Sequence, residues 1–225
     1  MKKTFYSETA YFVGMIALAF GTALSTIADL GLSMIVAPAY ILHLKISELL
    51  PFFSFGMAGY IFQALIILLT VLVMRKFKLS YLFSFVTAVF YGLLLDLFLF
   101  LLPITLTLLP LRILFFASGV IMCAFGVSLL FNTYISPEAY ELIVKEISKG
   151  FGIKIGKVKM AYDISSLILA VILSFAFFGV WTFKGIGWGT LIIPFINGPL
   201  IGMFDKLLHK RFEFKEALQR KKADK

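Results

Sequence analysis

Residues 14–24 of the chain read Gly-Met-Ile-Ala-Leu-Ala-Phe-Gly-Thr-Ala-Leu, and residues 119–129 read Gly-Val-Ile-Met-Cys-Ala-Phe-Gly-Val-Ser-Leu. The two segments share a glycine, then Ala-Phe-Gly, then a leucine, at a constant offset of 105. Further matches follow in the same order: Ala39-Tyr40-Ile-Leu42 with Ala139-Tyr140-Glu-Leu142, Gly56 with Gly156, and Tyr91-Gly92 and Phe98 with Asn197-Gly198 and Phe204. Ordered self-similarity indicates an internal duplication. We predict two repeats, 1–103 and 104–206, and a basic tail over 207–225.

The composition is that of a membrane protein. Of 225 residues, 61% are hydrophobic and only 15% are charged, and the mean hydropathy is +1.00. A soluble domain is nearer half apolar and a quarter charged, so a water-soluble globule is excluded. Six stretches have the roughly 20 apolar residues that a spanning helix needs: about 9–29, 54–74, 80–102, 111–133, 163–183 and 187–206. We predict an all-α polytopic membrane protein. The first stretch is expected to be a span rather than a cleaved signal peptide, because it recurs in the second half.

The net charge of +9 indicates the orientation. With six spans, 18 of the 21 basic residues fall on one side, and only Lys45, Arg112 and Lys184 fall on the other. By the positive-inside rule, both termini are predicted to be cytoplasmic. The basic tail is expected to be solvated and loosely bound to anionic lipid headgroups. Nucleic-acid binding is not predicted, since no folded basic module lies outside the membrane.

Three crossings per repeat is an odd number, so the two repeats must face opposite ways in the bilayer, as in many transporters. Each repeat also contains a segment too broken or too polar to cross, at about 31–50 and 134–158. Ser136-Pro137 predicts the start of a helix in the second segment, and Ser33 and Pro38 its partner in the first. Two alternatives stay open for both: an interfacial helix at the headgroups, or a re-entrant half-helix whose positive N-terminus points at an anionic solute.

Polar residues inside the spans are the candidate functional residues, because their burial in lipid is costly. Asp96 is predicted either to line a solute path or to form a structural ion pair with Arg112. Asp163 is either a ligand or an ordinary acid at a helix start. Asn197 is expected to be hydrogen-bonded between helices or exposed to a cavity. The candidate substrate-binding residues are Gln63, Asp96, Asp163, Asn197, Tyr40, Tyr140 and Glu138.

The remaining residues argue against an enzyme. Cys123 is the only cysteine, and His43 and His209 fall on opposite sides of the membrane, so neither a metal site nor a catalytic triad can be assembled. We therefore predict no catalytic residue, no metal and no cofactor. Gly198-x-x-x-Gly202 and Gly14…Gly21 are expected to allow close helix packing.

The duplicated Gly…Ala-Phe-Gly helices, the basic linker ending near Gly156 and Lys157, and the closing run from Gly185 to Thr190 with Asn197-Gly-Pro199 resemble the YczE/YyaS/YitT membrane proteins. The likeness covers most of residues 9–205. It implies a bacterial plasma-membrane protein, and it brings no catalytic residues.

Three functions are compatible with these features. The first is a small-solute carrier or permease with a site at the interface of the inverted repeats, which would bind a small-molecule ligand. The second is a substrate-binding membrane subunit that works with an ATPase partner. The third is a non-transporting scaffold or accessory protein. A homodimer is a further candidate assembly, because several helix faces carry small residues.

Overall fold

The computed structural model describes residues 3–135, 138–153 and 155–216, the side chains of residues 155 and 156 excepted. These residues form eight helices and one pair of short strands: β1 (Lys3–Tyr6), α1 (Ser7–Ala28), α2 (Ala37–Ser47), α3 (Phe55–Met74), α4 (Leu79–Leu101), α5 (Leu109–Phe131), α6 (Ala139–Phe151), α7 (Ile155–Phe178), α8 (Trp188–Arg211) and β2 (Phe212–Lys215). Six helices, α1, α3, α4, α5, α7 and α8, are long and apolar enough to cross a membrane. The predicted all-α polytopic membrane fold is confirmed.

The spans of the first repeat and α5 begin and end close to the predicted positions, but α7 and α8 do not. Helix α7 begins at Ile155, well before the predicted start at 163, and it ends at Phe178. Helix α8 continues to Arg211 rather than ending near 206. Both extensions lie where basic residues are frequent, and lysine and arginine side chains can reach the headgroups from a helix that starts or ends inside them. A count of apolar residues alone therefore misplaces these two ends.

Helices α1 and α5 form the central contact of the fold, and they run antiparallel. A Cβ on Gly14 would lie 3.0 Å from the carbonyl oxygen of Gly126, and one on Gly21 would lie 2.7 Å from that of Gly119. The start of α1 thus faces the end of α5. Gly14 is equivalent to Gly119 in the duplication, and Gly21 to Gly126. Each repeat therefore presents the same pair of glycines to the other, which is a two-fold relation with the second repeat inverted.

Two further sets of helix contacts follow the same exchange. Helix α1 packs on α4, and its equivalent α5 packs on α8. The short helix α2 contacts α3 and α7, and its equivalent α6 contacts α7 and α3. Each short helix therefore packs against a span of its own repeat and against the equivalent span of the other. The exact repeat boundaries at 103 and 104 stay a prediction.

The two short helices enter the bundle with their N-termini inward. Ala37 and Ala139 are fully buried, whereas Leu49 after α2 and Phe151 at the end of α6 are 79% and 59% exposed. Their C-terminal ends lie on opposite faces, since α2 leads into the start of α3 while Lys78, just before α4, contacts Glu146 on α6. Each short helix therefore runs from a buried N-terminal end to an exposed C-terminal end, and we call both of them half-helices.

The strands β1 and β2 pair in parallel, with Lys3 opposite Phe212 and Tyr6 opposite Lys215. The ring of Phe5 packs on Phe212 and Phe214, at centroid distances of 5.3 and 5.8 Å. Both ends of the described chain therefore lie on one face, as an even number of spans requires. The loosely bound tail predicted from the sequence is wrong for residues 212–215, because their aromatic side chains pack against the N-terminal strand. Residues 217–225 lie outside the described part.

Candidate functional site

A buried amide joins α3 to the N-terminus of the half-helix α6. Gln63 on α3 is 1% exposed. Its Nε2 donates a hydrogen bond of 3.0 Å to Oε2 of Glu138, and its Oε1 accepts one of 3.0 Å from the backbone N–H of Ala139. One side chain thus binds both the residue that precedes α6 and the first N–H of that helix. A helix start has unpaired N–H groups, and the amide satisfies one of them without contributing a charge.

Glu138 carries the most unusual ionisable group of this junction. The residue is only 8% exposed, and Oε1 has no hydrogen-bond partner among the described residues. Burial and, to a lesser extent, the nearby Glu141 carboxylate raise the pKa of the Glu138 carboxyl to about 8, although the hydrogen bond from Gln63 partly opposes both effects. A carboxyl with this pKa is mostly protonated at neutral pH, whereas an ordinary glutamate is ionised.

The N-termini of both half-helices meet around a cavity of about 10 Å³, whose lining includes Gln63, the hydrogen-bond partner of Glu138, but not Glu138 itself. The cavity is lined by Val36, which directly precedes α2, and by Ala39 on α2. Gln63 on α3 and Tyr140 on α6 line it as well. Tyr91 on α4 closes another side. This volume holds about one water molecule at most. The half-helices of the two repeats therefore share one small, closed junction.

A second cavity, of about 40 Å³, lies between α1, α5 and α8. Its polar lining is Thr22, Ser25, Ser33, Cys123 and Asn197. The Oδ1 atom of Asn197 is buried and lacks a hydrogen-bond partner among the described residues. Asn197 thus lines a cavity, which was one of its two predicted environments. Such a cavity has room for a few water molecules but not for a metabolite.

Tyr91 separates the two cavities. Its ring lines the smaller cavity, and its hydroxyl donates a hydrogen bond of 2.9 Å to Oγ1 of Thr22, which lines the larger one. This contact lies between the two cavities, and Val36 lines both of them.

One protein-family model covers nearly all of the helices described above. A family model described as a family of unknown function, DUF6198, matches residues 5–206. The chain belongs to this family. The matched region runs from β1 into α8 and includes both half-helices and both cavities. Comparison with curated proteins and with solved structures finds no match.

Asp96 has a structural position in this DUF6198 chain. Its Oδ2 accepts a hydrogen bond of 2.5 Å from the hydroxyl of Ser54, and its Oδ1 accepts one of 2.8 Å from the backbone N–H of Gly56. Ser54 is in turn the N-cap of α3 and accepts from the N–H of Met57. The carboxylate therefore holds the start of α3, where the helix dipole favours a negative charge.

The predicted ion pair between Asp96 and Arg112 is wrong, because each residue has another partner. Arg112 at the start of α5 lies 3.1 Å from Oδ2 of Asp29, and its guanidinium also donates to the carbonyl oxygens of Ala28 and Asp29. It thereby caps the end of α1, whose last carbonyl groups have no partner within the helix. Asp96 stays with the start of α3, so the two charges stabilise different helix ends.

The remaining candidates divide between the junction and its surroundings. Asp163 on α7 has a buried Oδ1 atom without a hydrogen-bond partner among the described residues, and it lies near Glu141 on α6. Burial raises the pKa of Glu141, Lys159 partly lowers it, and Asp163 raises it again. Tyr40 instead packs its ring on Phe55 at 5.1 Å, within the hydrophobic core beside α3. The structure thus brings together Gln63, Glu138 and Tyr140, with Glu141 and Asp163 close by.

A second set of contacts that holds α6 in the fold was not predicted from the sequence. Glu146, 8% exposed, accepts hydrogen bonds from Nζ of Lys78 at 2.5 Å and from the hydroxyl of Tyr81 at 3.0 Å, which fastens α6 to the start of α4. Burial raises the pKa of Glu146, but the bonds from Lys78 and Tyr81 outweigh it and the pKa is lowered. The eight-residue spacing from Glu138 places both acids near one helix face, and that spacing was the available signal.

Proposed function

We propose that the protein is a small-solute carrier whose site lies where the N-termini of α2 and α6 meet. One observation carries the proposal: the buried Gln63–Glu138 pair at the junction of two half-helices that belong to inverted repeats. Transporters built from inverted repeats bind their solutes near the bilayer midplane, at broken helices whose ends face the site. A polar junction of this kind has no evident role in packing alone, since buried polar groups destabilise unless every one is satisfied.

The proposal includes an orientation and a membrane. We assign the face that carries both termini to the cytoplasm because most basic residues fall on it. The bacterial plasma membrane follows from the resemblance to the YczE/YyaS/YitT proteins, which remains part of the proposal. The bilayer contact itself needs no proposal, since six helices are built to cross it.

The small cavity volumes define the state of the proposed carrier. Spaces of about 40 and 10 Å³ cannot hold a metabolite, so this conformation would be a closed one. Opening would require the half-helices to move relative to the spans, and the Tyr91–Thr22 contact would have to separate. The same closed interior favours the scaffold as the second candidate, because a scaffold needs no cavity at all.

The test is a thermal-shift screen of the purified full chain in detergent with a panel of ions and metabolites, followed by uptake of the stabilising solutes into proteoliposomes. A solute that binds the folded state raises the melting temperature by linkage. We expect the shift and the uptake to be lost in Gln63→Ala. They should be retained in Leu68→Ala, which changes a side chain 55% exposed on the same helix.

The alternatives give different results in the same experiments. If no solute moves but affinity purification from membranes recovers an ATPase, the carrier proposal gives way to a substrate-binding subunit. If no solute shifts the melting temperature, none moves and no ATPase is recovered, the scaffold replaces it. The catalytic role excluded on sequence grounds is not part of any of these proposals.

A further inference from the structure

We propose that Glu138 is an exchangeable proton site of the carrier, and that its carboxylate binds a small monovalent cation when the proton has left. The inference rests on the proposed carrier function and deepens it, since it assigns a class of solute and a coupling ion. The cation can be inorganic, such as Na⁺ or K⁺, or a small ammonium-type ion.

The geometry of the carboxyl group is the first argument. Oε2 is held by the Gln63 amide at 3.0 Å, while Oε1 is buried and has no hydrogen-bond partner among the described residues. A buried carboxylate with one unpartnered oxygen is costly unless a proton or a cation compensates its charge. In the part of the chain that the structure describes, no lysine or arginine forms an ion pair with Glu138, so the protein itself supplies no compensating positive charge at hydrogen-bond distance.

The titratable groups that act directly on Glu138 are neutral or acidic. The titratable groups that interact electrostatically with it are Tyr11 on α1, Tyr91 on α4, Cys123 on α5, and Tyr140 and Glu141 on α6. Phenols, a thiol and a carboxyl carry no positive charge in any protonation state. Beyond them, Asp163 and Lys159 on α7 act on Glu141 with opposite signs. Glu141 and Asp163 are two acids and Lys159 is a single base, so this region is net negative once all three acids, including Glu138, are ionised.

An anionic solute fits this junction less well, although two helix N-termini point into it. The backbone N–H of Ala139 is already bound by Gln63. At the start of α2, the N–H groups of Val36 and Ala37 are bound by the carbonyl oxygen of Ser33. Three of the N–H donors at these helix ends are therefore occupied, while the unpartnered side-chain atom at the junction is a carboxylate oxygen. The expectation of an anion at these helix ends gives way to a cation.

The exchange is balanced in atoms and charge. The O–H bond of the Glu138 carboxyl breaks and a water molecule on one side accepts the proton. One monovalent cation then takes the place of that proton beside the carboxylate. The site is neutral in both loaded forms, so the buried carboxylate is uncompensated only between the departure of the proton and the arrival of the cation. The proton and the cation consequently move in opposite directions.

The proton site is tested without any transport assay. Infrared difference spectra of the purified full chain, recorded as the pH is raised from about 6 to about 10, should show loss of a protonated-carboxyl band with a midpoint near pH 8. Glu138→Gln should remove the band, and Glu48→Gln, which changes an exposed acid directly after α2, should retain it. Gln63→Leu should raise the midpoint, because the hydrogen bond that favours the carboxylate is lost. Absence of a band in this range, or its persistence in Glu138→Gln, overturns the proton site.

The stability of the protein supplies a second readout. A carboxyl whose pKa is raised on folding binds its proton more tightly in the folded state, so its contribution to stability is present below the unfolded pKa and is lost as the pH rises through the folded one. The melting temperature of the wild type should therefore fall between about pH 6 and about pH 9 more steeply than that of Glu138→Gln. Parallel curves for the two proteins contradict the inference, even where an infrared band is difficult to assign.

Cation exchange is tested in proteoliposomes with a pH-sensitive dye inside and an acidic lumen. Addition of NaCl, KCl or methylammonium chloride outside should drive protons out for at least one of the three. Glu138→Gln should reduce this flux to that of protein-free liposomes, and Glu48→Gln should not. A carboxyl that titrates but gives no cation-driven proton flux overturns the exchange. Transport of a solute from the wider panel without proton movement overturns it too, but leaves the carrier proposal standing; if no solute moves at all, both fail.

Discussion

A Cβ atom placed on Gly21 would lie 2.7 Å from the carbonyl oxygen of Gly119, and one placed on Gly119 would lie 2.7 Å from the carbonyl oxygen of Gly21. The contact is reciprocal because the two glycines occupy exchanged positions of the duplicated segment. Backbone atoms meet directly here, so α1 and α5 approach as closely as two helices with small residues at the interface can. The close approach of the two repeats therefore depends on the absence of a side chain at these positions.

Alanine at either glycine should destabilise the protein. The added Cβ would meet backbone atoms at less than 3.0 Å, and backbone cannot move aside without separating α1 from α5. Overpacking of this kind costs about 1–3 kcal/mol, and it should lower the melting temperature in detergent. The control is Gly202→Ala, where nothing lies within 4 Å and alanine is the better helix former. Combining Gly21→Ala with Gly119→Ala should cost less than the sum, because both widen the same interface. Equal melting temperatures for Gly21→Ala and Gly202→Ala would contradict this account.

The fold was largely predictable because lipid imposes strong constraints on sequence. A span needs a long apolar stretch, so α1, α3, α4 and α5 were found close to their actual bounds. Inversion followed from three crossings in each repeat. The β1–β2 pair was not predicted, since its strands are four residues long and far apart in the chain, and their pairing depends on tertiary packing. Gly198 and Gly202 were expected to allow close helix packing, but a Cβ atom at either position would have no neighbour within 4 Å among the described residues. The Gly-x-x-x-Gly spacing alone therefore did not identify a packing face.

Removing the Asp96 carboxylate should destabilise α3 rather than abolish solute binding. Asp96→Ala leaves the Gly56 N–H and the Ser54 hydroxyl without their acceptor, and hydrogen bonds to a charged group contribute about 1.5–3 kcal/mol each. Asp96→Asn keeps an oxygen for the Gly56 N–H and should lose less. Melting temperatures should rank wild type, then Asn, then Ala. Uptake per folded molecule should be unchanged in Asp96→Asn, and a specific loss of uptake in a well-folded Asn variant would place Asp96 in the solute path instead.

Arg112 should be far more important for stability than its acidic partner. Arg112→Ala removes the donors to the last carbonyl groups of α1, at a cost of about 2 kcal/mol. Asp29→Asn removes only an ion pair whose acidic side chain is 76% exposed, and such pairs contribute about 0–1 kcal/mol. Asparagine also tolerates the left-handed backbone of Asp29, which has φ = 49°. Unfolding monitored by tryptophan fluorescence should separate the two variants. Equal destabilisation by both would show that the ion pair, and not the helix cap, is the important contact.

The candidate site was predicted only in part: its residues could be identified from the sequence, but the contacts between them could not. Gln63, Glu138 and Tyr140 were all identified as polar groups in an apolar chain. Which of them meet could not be predicted, because Gln63 and Glu138 are 75 residues apart and their contact depends on how deep α6 enters the bundle. The pairing of Asp96 with Arg112 was wrong for the same reason. Its charge in a span was evident, but its partner, the N-terminus of α3, is created by the fold.

Acid should weaken the attachment of α6 to α4 through Glu146. The pKa of Glu146 is lowered on folding by its hydrogen bonds with Lys78 and Tyr81, although burial opposes the effect. A depressed carboxyl pKa stabilises the folded state above the unfolded value of about 4.3, and this stabilisation is lost as the pH falls through the folded pKa. Between about pH 5 and about pH 3, the melting temperature of the wild type should therefore fall more steeply than that of Glu146→Gln. At neutral pH, Glu146→Gln should be the less stable of the two, since its amide cannot replace the charge that binds Lys78.

Glu48→Gln is the matched control, because the Lys45–Glu48 pair is exposed and joins residues of one segment. If Glu48→Gln reduces the acid-induced fall in melting temperature as much as Glu146→Gln does, the effect is due to overall charge and not to the contact between α6 and α4.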